Sequence, residues 1–258
     1  MFAIVTAGGI PQPGEPLYEY TQGQSKALLD IAGKPMIQWV LDALSAASTV
    51  EGVVVMGLSP EAGLNCSKPM IFIPNQGEML TNILSGVKKV LELAPKAAHA
   101  LVVSSDIPAI TGQSVDWVVN TALKTDHDVY YNVISREVME KRFPGSRRSY
   151  TRLKEVEVCG GDMNVVRTLT VTGKDELWKR IIDSRKNAFK QASLLGFDLL
   201  FLLLLRQITI EKAEQKVSRR IGLKGKVVLC PYAEVGMDVD KPHQLELMRL
   251  DLAQRAKV

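Results

Sequence analysis

Phe2-Ala3-Ile4-Val5-Thr6-Ala7-Gly8-Gly9 opens the chain with a short apolar, β-branched run that ends in two glycines. A run of that length bounded by glycine reads as a buried strand delivering the chain into a loop. The pattern recurs at Val53-Val54-Val55-Met56, at Met70-Ile71-Phe72-Ile73 and at Leu101-Val102-Val103. Helical periodicity lies between these runs. Met36, Ile37, Val40, Leu41 and Leu44 share one face after Pro35, which stands at a favourable helix start. Within 78–93, Leu80, Ile83, Leu84, Val87, Val90 and Leu91 share another, and Val115, Val118, Val119 and Leu123 a third. Strand alternating with helix predicts an α/β fold: a three-layer α/β/α sandwich around a mostly parallel sheet.

The second half is less regular. Val129 to Ile134 and Thr151 to Cys159 read as strands, the latter alternating Leu153, Val156 and Val158 with charged residues, and Arg142-Phe143-Pro144-Gly145-Ser146 is a loop between them. From Lys174 to Ile221 the chain reads helical, with a break near Gln207-Ile208-Thr209 where Thr209 can cap the next helix. Val227 to Leu229 is a late strand and Pro242 to Ala256 a final amphipathic helix. No repeat, low-complexity tract or linker marks a boundary, so residues 1–258 are expected to form one domain.

Composition excludes some classes. A net charge of +4 suits a protein that handles phosphates but is too small to argue for nucleic acid. Cys66, Cys159 and Cys230 are far apart and lack a CxxC pair, which argues against a disulfide framework or zinc site and for a reducing cytoplasm. The N-terminal residues show no signal-peptide pattern. Leu194 to Leu205 is very apolar but about 12 residues long and interrupted by Gly196 and Asp198, whereas a membrane span needs about 20. It reads as a buried helix, with a membrane-surface or partner-binding role as the alternative.

In an open parallel sheet, ligands bind beyond the carboxyl ends of the strands. Ala7-Gly8-Gly9, Ser104-Ser105-Asp106 and Val239-Asp240 fall at such ends. Glycines let backbone N–H groups approach phosphate oxygens, and Lys26 follows closely enough to add an ammonium. The plain alternative is a tight turn with a solvated lysine. Neither GxxxxGK[ST] nor GxGxxG occurs, which argues against a P-loop or dinucleotide site. Asp106 and Asp240 could converge on a divalent cation, or each could simply cap a helix.

Four blocks resemble the MobA-like nucleotidyltransferases, relatives of the sugar-phosphate uridylyl- and cytidylyltransferases with the GT-A-type fold. They are Ala7-Gly8-Gly9; Ser25-Lys26-Ala27-Leu28-Leu29-Asp30-Ile31-Ala32-Gly33-Lys34-Pro35-Met36; Ser105-Asp106-Ile107-Pro108; and Asp238-Val239-Asp240-Lys241-Pro242-His243-Gln244-Leu245. The resemblance implies Mg²⁺-dependent transfer of NMP from an NTP to a small phosphorylated or otherwise anionic acceptor, with loss of pyrophosphate. Ala7, Gly8, Gly9 and Ser105 would then hold phosphates, with Lys26 and Asp106 catalytic. Asp106 and Asp240 would be the metal ligands, with Asp238 as the alternative to Asp240. Asn75, Gly77 and Asn82 sit where relatives hold base and ribose. The nucleotide-binding half would be about 1–125 and the acceptor half about 126–258. Gly160-Gly161-Asp162 is similar to a Gly-Gly-Asn turn on the acceptor side, with Asp in place of Asn. Arg148, Arg152 and Lys154, beside Arg147, could bind the anionic acceptor or the leaving pyrophosphate, or could form a solvated strand edge. Relatives carry an arginine soon after the glycines; here none occurs between Gly9 and Lys26.

Two rival readings follow. A GT-A glycosyltransferase would show Asp-x-Asp where Ser104-Ser105-Asp106 stands. A catalytically weak nucleotide-binding or assembly module would fit the missing arginine and the 194–205 segment. His99, His127 and His243 have no Ser or Cys partner that would make an acyl-transfer triad. The base, the acceptor and any self-association are not encoded in these motifs.

Overall fold

The computed structural model describes residues 1–174, 177–179, 202 and 205–255. The strands are β1 (Phe2–Thr6), β2 (Asp30–Ile31), β3 (Lys34–Pro35), β4 (Gly52–Met56), β5 (Met70–Ile73), β6 (His99–Ser104), β7 (Val129–Ser135), β8 (Thr151–Arg152), β9 (Glu157–Gly160), β10 (Met163–Arg167) and β11 (Gly225–Leu229). The described helices are α1 (Tyr18–Thr21), α2 (Met36–Ala46), α3 (Met79–Leu93), α4 (Gly112–Ala122), α5 (Arg136–Arg142), α6 (Thr168–Thr172), α7 (Ile210–Ile221) and α8 (Pro242–Arg255).

The main sheet runs β5-β4-β1-β6-β10-β7-β9-β8, with β11 parallel to β7. β1 lies between β4 and β6, parallel to both, and its Ala3, Ile4 and Val5 are fully buried. That double burial is why the strand reads as a continuous apolar run. The expected mostly parallel α/β sheet is therefore present, with one inserted element. The stretch 157–167 runs antiparallel between β6 and β7, pairing with β7 as both β9 and β10.

Two expectations are corrected there. The strand expected over Thr151–Cys159 is a hairpin of β8 and β9, closed where Leu153 N–H donates to Val156 O at 2.9 Å. Its two arms keep the same alternation across the turn, so periodicity alone does not reveal the reversal. β10 was not expected at all, because Asn164 and Arg167 break the apolar run of Met163-Asn164-Val165-Val166-Arg167. Asn164 satisfies local geometry instead: its side chain accepts from Asn132 N–H and donates to Gly161 O.

Thr209 caps α7 by accepting from Lys212 N–H. The helix expected over 194–205 falls, apart from Leu202 and Leu205, outside the described residues. Leu202 packs against the cluster of Val133, Leu153, Val158 and Ile208, and Leu205 is exposed. Among the described residues no helix is long and apolar enough to cross a membrane. The three cysteines are free thiols.

Candidate active site

The chain from Ile10 to Ser25 leaves the sheet as a surface loop and is tied shut at its base. Lys26 N–H donates to Gly9 O at 3.0 Å, and Ser25 Oγ donates to Ala7 O at 2.8 Å while capping the short helical turn Lys26–Leu28. This closure, as in an Ω-loop, returns Lys26 to the end of β1. The hairpin β2–β3 follows, turning through Ala32 and Gly33 with φ of 53° and 84°. Two positive φ values at a two-residue turn suit the twist of a hairpin.

Lys26 Nζ lies 2.5 Å from Asp106 Oδ2 and 2.6 Å from Asp240 Oδ1. Asp106 follows β6, whose Ser105 N–H donates to Thr6 O, and Val239 N–H donates to Asp106 O at 2.9 Å. Backbone bonds therefore fix both carboxylates relative to β1. Burial pulls the Lys26 ammonium downward, but Asp106 and Asp240 outweigh it and hold its pKa well above the ordinary value. The group is a permanent cation between two acids. Asp106 Oδ1 is buried and has no hydrogen-bond partner among the described residues.

On one side, a cavity of about 250 Å³ is lined by Gly8, Gly9, Lys26, Gly77, Asn82, Ser105 and Asp106, with Thr6, Met79 and Ser104. Its amides are interlocked. Asn75 donates to Gly8 O at 3.1 Å and accepts from Gly77 N–H and from Asn82 Nδ2. Asn82, almost fully buried, accepts from Gln76 N–H. Gly8 is required by this packing: a Cβ there would meet the Asn75 side chain at 2.8 Å. Gly57, with φ of 100°, lies against the Gly8 backbone from behind. A second cavity, about 410 Å³, lies under the loop and is lined by Gly9, Ile10, Pro11, Glu15, Lys26, Asp240 and Lys241, among others. Lys241 was not among the sequence-derived candidates. It supplies a cation on the loop side of the crevice.

The other side is built from charges. Arg148 pairs with Asp238 and lies 3.9 Å from Asp162. His243 Nε2 lies 3.2 Å from Ser146 O, which pins the loop carrying Arg148 to α8. Asp162 N–H donates to Val235 O, and Ser104 N–H donates to Asp162 O, so the Gly160-Gly161-Asp162 turn adjoins the end of β6. Burial, with Asp106 and Asp240 nearby, pushes the Asp162 carboxyl up to about 7. Of the two acids after η-turn 233–236, Asp240 faces Lys26 and Asp238 faces Arg148. Arg152 is instead half-exposed on the β8–β9 hairpin and pairs with Glu157 at 2.8 Å, and Lys154 is exposed beyond it. Among the described residues, no three His, Cys, Asp or Glu side chains form a ready metal cluster.

A mostly parallel sheet with one inserted antiparallel strand, glycines after β1, and acids after β6 and before α8 define a nucleotidyltransferase-type α/β fold. The profile of the MobA-like NTP transferase domain matches residues 4–176, so the chain belongs to that family. A solved structure described as a hypothetical transferase from Thermus thermophilus shares 32% identity with a TM-score of 0.82, covering 95% of this chain and 98% of that one. A CMP:2-keto-3-deoxy-manno-octonic acid synthetase complexed with CTP shares the fold at a TM-score of 0.58 and 17% identity, covering 99% and 98%. A 4-diphosphocytidyl-2C-methyl-D-erythritol synthase from Anaerococcus prevotii does so at 0.60 and 11%, covering 97% and 95%. The bifunctional protein GlmU of Thermoanaerobacter pseudethanolicus is 28% identical over 104 residues, which is 40% of this chain and 22% of that protein's length.

Proposed function

We propose that the chain transfers NMP from an NTP to a small anionic acceptor, with Mg²⁺ as cofactor and pyrophosphate as the leaving group. The observation that carries this reading is Lys26 held between Asp106 and Asp240 where two cavities meet. An acceptor phosphate or carboxylate oxygen, ionised at neutral pH, forms a bond to the α-phosphorus. The bond from that phosphorus to the bridging oxygen breaks, and pyrophosphate leaves with the electron pair. No protein nucleophile is required. The chain's contribution is positioning and charge neutralisation.

In this reading Gly8, Gly9 and Ser105 receive phosphates on backbone amides, and Asn75, Gly77 and Asn82 frame base and ribose. Lys26, with Lys241 from the opposite wall, neutralises phosphate charge. The residues fit a divalent cation: two carboxylates, one with a buried unpartnered oxygen, match an ion that keeps water and phosphate oxygens as its other ligands. Asp106 and Asp240 would hold it. When bound, such an ion supplies charge stabilisation to the phosphates. Arg148, Gly160, Gly161 and Asp162 form the acceptor side, with Arg152 and Lys154 at its outer margin. The chain works as one unit over 1–258, and its free thiols support a reducing cytoplasmic setting.

Thermal melts with each NTP, with and without Mg²⁺, combined with a pyrophosphate-release screen over sugar phosphates, phospho-acids and alcohol phosphates, test this reading. Mg²⁺-dependent stabilisation by one NTP and acceptor-dependent release are expected. Stabilisation with no release from any acceptor would leave a binding module.

A further inference from the structure

Alongside the crevice, between α3 and α7 on one face of the sheet, lies a cavity of about 460 Å³. Leu80, Ile83 and Leu84 of α3, Val102 and Val166 of the sheet, and Val217 of α7 make its walls strongly apolar. These wall residues are half-buried, so the cavity is an apolar recess open to solvent, and an apolar occupant would supply the dispersion contacts its walls lack. Its volume is that of a small-molecule site.

A second observation points to an occupant. Trp178 lines this cavity and is only 8% exposed, yet among the described residues its indole N–H has no hydrogen-bond partner. A buried indole N–H normally has one, so the unmet donor calls for an acceptor atom on something that enters. The cavity also adjoins the reaction site. Val102 lines the cavity and Ser104 the nucleotide crevice, and they project from the same face of β6 one alternation apart. Leu80 follows Met79, which lines the crevice. Tyr131 and Asn164 are wall residues: the Tyr131 hydroxyl lies against Gly160, and Asn164 bonds Gly161 O at 2.9 Å. The wall of the chamber is thus the back of the Gly160-Gly161-Asp162 turn.

We infer that this chamber receives the apolar body of the acceptor, an alkyl or aryl group carrying an anionic head and an oxygen within reach of Trp178. The inference rests on the nucleotidyl-transfer reading of the crevice, since it assigns the class of its acceptor. The head stays beside Arg148 and Asp162, and the body lies between α3 and α7. A plain sugar phosphate would leave the chamber unfilled.

The test titrates the full chain with n-alkyl phosphates from ethyl to decyl, with phenyl and naphthyl phosphate, and with glucose 1-phosphate, reading tryptophan fluorescence. Affinity is expected to rise about fourfold per added methylene until the chamber is full. The alkyl and aryl arms distinguish the two kinds of body. Trp178→Phe should abolish the fluorescence change while binding persists by calorimetry. Ala213→Phe should remove most of the chain-length gain while leaving ethyl phosphate and NTP binding unchanged, and Val217→Phe serves as the second filling variant. Affinity independent of chain length, glucose 1-phosphate binding as tightly as the longest alkyl phosphate, or a gain that survives both filling variants would overturn the assignment. Glucose 1-phosphate supporting pyrophosphate release would then leave nucleotidyl transfer standing without the chamber. Alkyl phosphates binding with the predicted gain, but with no NTP binding, would instead sink the reading of the crevice.

Discussion

On the Gly8–Asn75 side of the crevice, amides and backbone groups satisfy one another, whereas on the Arg148–Asp162 side charged side chains face one another. The difference matches two tasks. A nucleotide presents fixed phosphate spacing and a fixed sugar, and a preorganised cradle binds it without reorganisation. An anionic acceptor must displace something, and an arginine shared between two carboxylates can exchange an internal partner for an external one. The first side is set by turns and close approaches of backbone; the second is set by electrostatic balance.

The comparison can be broken most forcefully where the two sides meet. Asp106→Asn is expected to lower NTP-dependent pyrophosphate release by about 10²–10³-fold or more, with an unchanged far-ultraviolet circular dichroism spectrum. Unchanged turnover would remove Asp106 from the reaction. On the preorganised side, Gly8→Ala should push Asn75 out of its hydrogen bonds and weaken NTP binding by about tenfold in calorimetry, because bonds made before binding are lost. The acceptor KM should not follow. On the charged side, Arg148→Lys should raise the acceptor KM by about tenfold in steady-state kinetics, since an ammonium cannot reproduce the guanidinium fork. There the NTP dissociation constant should hold still. If either variant moved both constants equally, the division between the sides would fail.

The smallest expected effect concerns Asp162. Its carboxyl titrates at about 7 in the folded chain and about 3.9 when unfolded. Between those values the folded state carries the extra proton, so stability falls as pH rises through this window and levels off above it. In metal-free buffer the melting temperature should therefore drop from pH 5 to pH 8. Asp162→Asn should flatten that drop and melt a few degrees higher at pH 8. An identical pH profile in the variant would assign the slope elsewhere.

How far the sequence could be read follows the same division. β1, β4 and β6 lie inside the sheet, so their continuous apolar runs announce strands, and β5, half-buried at the sheet edge, carries an equally apolar run. β10 is equally central but carries Asn164 for the bond to Gly161 and ends in Arg167, and those two polar residues hide it. Gly8, Gly9, Lys26 and Asp106 were legible because each lies at the end of a recognisable strand or its closing loop. The pairing of Arg148 with Asp238 was not, since the partners are far apart in the chain and meet where the loop before β8 is pinned to α8. Spacing also could not choose between Asp238 and Asp240, which stand two residues apart and meet different cations. Lys241 is not legible as part of the crevice because it reaches the loop from the far end of the sequence.

The most direct test of nucleotidyl transfer follows the label of an NTP. With Mg²⁺ and an anionic acceptor, α-³²P-labelled NTP should yield an acceptor product that retains the label, and γ-³²P-labelled NTP should release all of it as pyrophosphate. Label passing from the γ position to the acceptor, or no acceptor-dependent product from any NTP, would contradict the account.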